Sequence, residues 1–214
     1  MRGKTTAQWM AASFAVAFAL VVAFRLGTGP GERVVGALRA TARWSFTLFW
    51  LATTGRALAT LGGDRFRALA AHARDLGLSY ASAQLVHLAV VVWLYCYAFV
   101  HGTEAPSRNT LIFFGIGMFW TYLIALLSFA PVAAKLDART SRMLRAIGVE
   151  YIGVAFIVDF FKSPFQDGIA HIANYAPFVV LAIAGPVLRL AAAAKRLARQ
   201  RRPSIGAQLE SSQH

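Results

Sequence analysis

Six long apolar stretches alternate with short segments rich in Lys and Arg along this 214-residue chain. The first, Ala7–Phe24, follows a short basic start and runs into a turn-rich GTGPGE segment at residues 27–32. The second lies within Ala40–Leu61, with Arg39 and Arg43 at one end and Arg56 near the other, and Gly62-Gly63-Asp64 closes it. The third, Gly77–His101, is the longest. Thr110–Val132 forms the fourth and carries no charge, whereas the fifth, Met143–Phe161, holds Glu150 and Asp159. The sixth, His171–Leu188, contains Pro177 and Pro186, which membrane helices tolerate. A helix crosses a bilayer with about 20 mostly apolar residues. The pattern therefore predicts an all-α bundle of six transmembrane helices over residues 1–194. Residues 195–214 read as a basic, disordered tail.

Charge decides the orientation. The N-terminus, the Arg56–Arg74 connector, the Lys135–Arg145 loop and the Arg189–Arg202 stretch share one side of a six-span chain. Together they hold sixteen of the 22 Lys and Arg residues. The excess of Lys and Arg on one side places both termini in the cytoplasm and the chain in the inner (plasma) membrane. The first apolar run, with triplets such as Ala15-Val16-Ala17, also has signal-peptide features. It exceeds the 7–15 residues of a signal core, which favours a retained span.

Composition agrees with the bilayer. Hydrophobic residues make up 57% of the chain and charged residues only 14%, against roughly 25% charged in soluble domains. The net charge of +13 lies in the breaks between apolar runs, as topology demands. It is not a nucleic-acid footprint. The single cysteine, Cys96, falls inside the third run, so neither a disulfide within the chain nor a C-x-x-C-H haem attachment is available. Gly-rich nucleotide-binding motifs are absent.

Chemistry concentrates on the third run. His87 stands in its middle and His101 at its end. Fourteen residues are close to four helical turns, about 21 Å along the axis, so both imidazoles point the same way. Such a helix could carry two stacked haems. A mid-helix histidine that hydrogen-bonds a neighbouring helix, and a loop histidine at its end, explain the same residues. Arg43 and Arg56 could clamp haem propionates through the bidentate guanidinium fork, or simply snorkel to headgroups. Carboxylates inside a span mark a functional site by default; Asp159 also suits a helix end, and Glu150, which lies deeper, suits an ion pair with Arg56 or Arg145 as well as it suits a chemical role. His101, Glu104, Asp159, Asp167 and His171 could gather at the outer surface as a metal site, although no close ligand spacing supports it.

The stretch Arg74–Leu78 (RDLGL) leading into Leu85–Leu88 (LVHL) resembles the ferric reductase-like transmembrane domain family. That family includes the haem-binding membrane subunits of the bacterial methionine sulfoxide reductase system and the core of NADPH oxidases. The resemblance covers roughly Ala37–Leu190. It implies a six-span fold that binds haem b, with His87 as the inner iron ligand and His101 as the outer one. The implied function is that of an electron-transfer oxidoreductase subunit, reduced by a separate membrane or soluble redox protein. No flavin or nicotinamide domain is expected in this chain. Where the family places the opposing histidines two helices later, this chain has Arg145 and, near the outer position, Val158-Asp159. The alternative is a haem-free structural or accessory subunit of a larger membrane complex with the same fold.

Overall fold

The computed structural model describes residues 2–27, 29–102, 107–161 and 169–211, and no strand occurs among them. In chain order the helices are α1 (Arg2–Gly27), α2 (Pro30–Gly62), a 3₁₀ turn (Gly63–Phe66) running into α3 (Arg67–Ala71), α4 (Ala73–His101), α5 (Arg108–Leu127), the one-turn α6 (Ala130–Ala133), α7 (Ala138–Phe161) and α8 (Ile169–Ser211). Local chemistry sets several of these boundaries. Pro30 opens α2, where its missing N–H costs nothing. Ser107 caps α5 by accepting from the Thr110 N–H at 3.2 Å. Gly102, at φ 63°, ends α4 in the left-handed conformation that glycine reaches without a steric penalty.

Five of the six expected apolar runs are helical throughout, and the fourth breaks at Ser128 and Phe129 between α5 and α6. Four helices contain stretches long and apolar enough to cross a membrane: Thr5–Gly27, Ala73–His101, Arg108–Leu127 and Tyr175–Gln200. The helices α2 and α7 have the length, with 33 and 24 residues, but their arginines and carboxylates make them less apolar. Large apolar side chains such as Phe119, Val180 and Leu190 are exposed on the bundle surface, as a bilayer environment requires. Helix α8 continues through the basic stretch to Ser211.

The bundle packs unevenly. Helices α1, α2 and α4 form a close triad, α5 pairs with α7, and α8 bridges α2 and α7. Small residues let α1 approach α4, and hydroxyls stitch the two together. Ser13 donates to the Ser79 carbonyl at 2.9 Å, Ser82 to the Met10 carbonyl at 3.0 Å, and Thr6 to Asp75 at 2.7 Å. This is the small-residue and polar glue of membrane interfaces, where lipid offers no hydrophobic drive. Between α5 and α7 the approach depends on Gly148. A Cβ there would come within 2.7 Å of Ile124 and 2.8 Å of Trp120. The core centres on Phe46 of α2, which meets the rings of Phe156, Phe160 and Phe178 at 5.2, 4.9 and 6.0 Å between centroids.

Helices α4 and α5 touch sparingly. At the end near Arg74 they are tied together. Arg74 Nε donates to the Ser128 carbonyl at 3.1 Å, and Arg145 of α7 donates to the Leu127 carbonyl. Two arginines thus satisfy carbonyls at the C-terminal end of α5 and oppose its negative dipole end. Farther along, the two helices are separated by a cleft.

Candidate functional site

The cleft measures about 190 Å³ and is walled by α2, α4, α5, α7 and α8. Most of its wall is apolar, and the polar residues that line it are Arg39, Tyr80, Gln84, His87, Tyr95, Thr110, Asp159 and Tyr175. Leu88 and Leu111 line it and are also exposed on the bundle surface. The cleft therefore opens sideways between α4 and α5, toward the lipid-facing side.

His87 is held from behind. Its Nδ1 lies 2.9 Å from the hydroxyl of Thr41, a fully buried residue of α2. That hydroxyl has one proton, and the Ala37 carbonyl also lies 2.8 Å from it, in the back-bonding geometry of a helical threonine. With the threonine proton on Ala37, the hydroxyl accepts from His87, Nδ1 carries the imidazole proton and Nε2 keeps its lone pair; with it on Nδ1, the roles reverse. Nε2 has no hydrogen-bond partner among the described residues.

On the floor of the cleft Thr121 donates to the Gly117 carbonyl at 2.9 Å and lies 2.9 Å from the Tyr80 hydroxyl, where either oxygen can donate. Tyr80 oxygen in turn accepts from Gln84 Nε2 at 3.3 Å. With its nitrogen turned to Tyr80, the Gln84 amide has Oε1 buried without a partner. Such a group costs about 1–3 kcal/mol relative to a satisfied one. Gln84 is 7% exposed, so no water shell compensates.

Asp159 completes the polar set. It lies on α7 at the cleft wall with no hydrogen bond or ion pair among the described residues, in the surroundings of Tyr175 and Arg39. The sequence suggested a helix-end residue; the structure brings it to the same cleft as His87. The expectation for Glu150 is corrected as well. Its partner is neither Arg56 nor Arg145 but Arg189 of α8, at 2.7 and 2.8 Å to the two carboxylate oxygens. Arg145 is instead engaged with α5.

The other candidate residues stand apart from the cleft. His101 is exposed at the end of α4, stacked on Tyr97 with ring centroids 4.0 Å apart, and its Nδ1 lies 2.9 Å from the Tyr97 carbonyl. Arg43 rests its guanidinium over Tyr175 at 4.6 Å and over Phe178 at 5.6 Å. Arg56 is exposed toward the opposite end of α2. The arginine that does line the cleft is Arg39. It shares its helix face with Arg43, four residues on, and sequence alone did not separate the two. Among the described residues, no three His, Cys, Asp or Glu side chains gather as a metal site. Glu104, Asp167 and the His171 side chain lie outside the described residues.

The donor set can be weighed against a haem. One imidazole presents a free Nε2 with a hydroxyl fixing its other nitrogen, which is how ligand histidines are oriented. A guanidinium stands at the same wall. The volume does not fit. A dry cavity of about 150 Å³ holds one benzene, so about 190 Å³ accommodates one substituted six-membered ring. A porphyrin would require α4 and α5 to separate further.

No protein family, curated protein or solved structure matches this chain.

Proposed function

We propose that this chain is a six-span protein of the plasma membrane, both termini cytoplasmic, that works as a haem-free ligand-binding subunit. The observation that supports this reading is the size of the lateral cleft, which suits one ring, together with the single imidazole on its wall. As an accessory subunit of a larger membrane complex it needs no haem of its own. The helical lengths of α2 and α7 support counting them as spans. Two of their charges are partnered, Glu150 in an ion pair with Arg189 on the bundle surface and Arg43 by stacking on aromatic rings. A visible absorption spectrum of the purified protein, after expression with ample iron and haem precursor, tests the reading. A colourless, folded protein is expected, and a stoichiometric Soret band would overturn it.

A second reading is favoured by His87 Nε2, which has no hydrogen-bond partner among the described residues. In it His87 ligates one haem b, Arg39 takes a propionate, and the chain is an electron-transfer subunit reduced by a separate redox protein. A bound haem would supply one-electron chemistry. With a single imidazole among the described residues of the cleft wall, its spectrum would be five-coordinate and high-spin, and His87→Ala would abolish it.

A further inference from the structure

We infer that the seam between the end of α2 and the basic part of α8 is a binding site for the phosphate headgroup of an anionic phospholipid. The inference goes beyond the reading of the cleft and does not depend on it, because no residue of this seam lines that cavity.

The first observation is which charges are left over. At the end of the bundle where α2 finishes, Arg67 is paired with Asp64, and Arg74 and Arg145 donate to carbonyls of α5. Arg189 is paired with Glu150. Arg56 of α2 and Lys195, Arg196 and Arg199 of α8 have no carboxylate partner among the described residues. Arg56, Arg196 and Arg199 are exposed.

The second is that the structure gathers these four. Arg196 donates to the Thr60 hydroxyl at 2.9 Å, and Lys195 Nζ to the Leu61 carbonyl at 3.3 Å. Thr60 stands one turn beyond Arg56 on the same face of α2, and Arg199 one turn beyond Lys195 and Arg196 on α8. A guanidinium carries five N–H groups, and Arg196 spends its bond on a neutral oxygen. Like charges one turn apart destabilise each other. A phosphate between them removes that repulsion and accepts the guanidinium fork.

The third is depth. Residues 175–194 carry one charge, the paired Arg189, and as a helix they measure about 30 Å, the thickness of the hydrocarbon core. Lys195 is the first residue past it, so the unpaired basic group stands at headgroup level. Leu190 and Leu197 are exposed on the same helix and give acyl chains an apolar surface alongside. Basic pockets between membrane helices hold anionic headgroups by this combination.

The test uses the full chain purified in detergent and two probes, dioleoylphosphatidylglycerol and dioleoylphosphatidylcholine, which share their tails and differ in headgroup charge. Bound lipid is counted by native mass spectrometry across a titration. The anionic lipid should bind at least about tenfold more tightly, since each basic residue at a charged headgroup is worth about fivefold. Two triple variants with equal loss of charge are then compared. Arg56→Gln/Arg196→Gln/Arg199→Gln should lose most of this preference. Lys135→Gln/Arg139→Gln/Arg142→Gln, which removes exposed charges from the α6–α7 region, should keep it. If the first triple does not fold, Arg56→Gln alone should weaken the anionic lipid about fivefold, because this exposed side chain makes no hydrogen bond among the described residues. Equal binding of the two lipids, equal losses in the two triples, or no loss in the seam variants overturns the inference. Displacement of the lipid by an equal concentration of inorganic phosphate overturns the lipid as the source of the anion.

Discussion

The two sides of α4 solve different problems with the same helix. Toward α1 and α2 it presents Ser79, Ser82, Ala83, Val86 and Val90, all buried, and the hydroxyl bonds of Thr6, Ser13 and Ser82 between α1 and α4 end on a backbone carbonyl or a carboxylate. Toward α5 it presents Gln84, His87, Val91 and Tyr95 to a cleft. Side chains are short on the packed side and backbones come close, because without water to exclude, contact area is the main attraction between helices. On the cleft side larger polar groups hold the helices apart, and their proton networks run back into the packed side. The packed triad therefore acts as the scaffold, and the cleft borrows its rigidity.

Predictions follow this division, the largest effect first. Phe46→Ala removes the ring at the centre of the α2–α7–α8 core and should lower stability by about 3–5 kcal/mol. Val91→Ala, on the cleft wall, should stay below about 1 kcal/mol. Denaturant titration in detergent compares the two, and equal losses would mean that the cleft side is as tightly packed as the core.

Thr41→Val couples the two sides. It strands His87 Nδ1 and should cost about 1–3 kcal/mol, whereas Thr41→Ser restores most of the loss. Nitrogen NMR of labelled histidine should show one fixed tautomer at His87 in the wild type and a mixture in Thr41→Val. A mixture in both would show that Thr41 does not fix the tautomer.

His101→Ala probes the far end of the same helix. This side chain is exposed and stacks only on its neighbour Tyr97, so stability should change by less than about 0.5 kcal/mol. A stability loss comparable to that of Phe46→Ala would show that His101 is packed into the bundle after all.

The smallest effect lies outside the bilayer, at the start of α7. Asp137 accepts from the backbone N–H groups of Arg139 and Thr140, each at 2.8 Å. Hydrogen bonds from the Thr140 side chain, then from those N–H groups, hold its carboxyl below the usual carboxylate range. A depressed value stabilises the folded state at neutral pH, and that contribution is lost as pH falls through the folded value. Hydrogen exchange in the first turn of α7 should therefore accelerate below about pH 4 in the wild type. In Asp137→Asn it should show no such step.

The chain's own order of residues determined the helices, their approximate ends and the membrane setting. Runs such as Gly77–His101 leave no other way to satisfy backbone groups in lipid, and Gly102 and Ser107 terminate helices by local geometry alone. The prominence of His87 was legible too, because an imidazole in mid-span demands a partner. What that partner is depended on Thr41, 46 residues away in sequence. Periodicity could align His87 with His101 but could not show that α5 leaves α4 between them. Nor could it bring Asp159 and Arg39 to one cleft, send Arg145 to the end of α5, or join Glu150 to Arg189. Helix geometry is a local property fixed by the backbone, whereas these pairings depend on how whole helices tilt and rotate against one another, which is decided by the summed fit of many distant small residues.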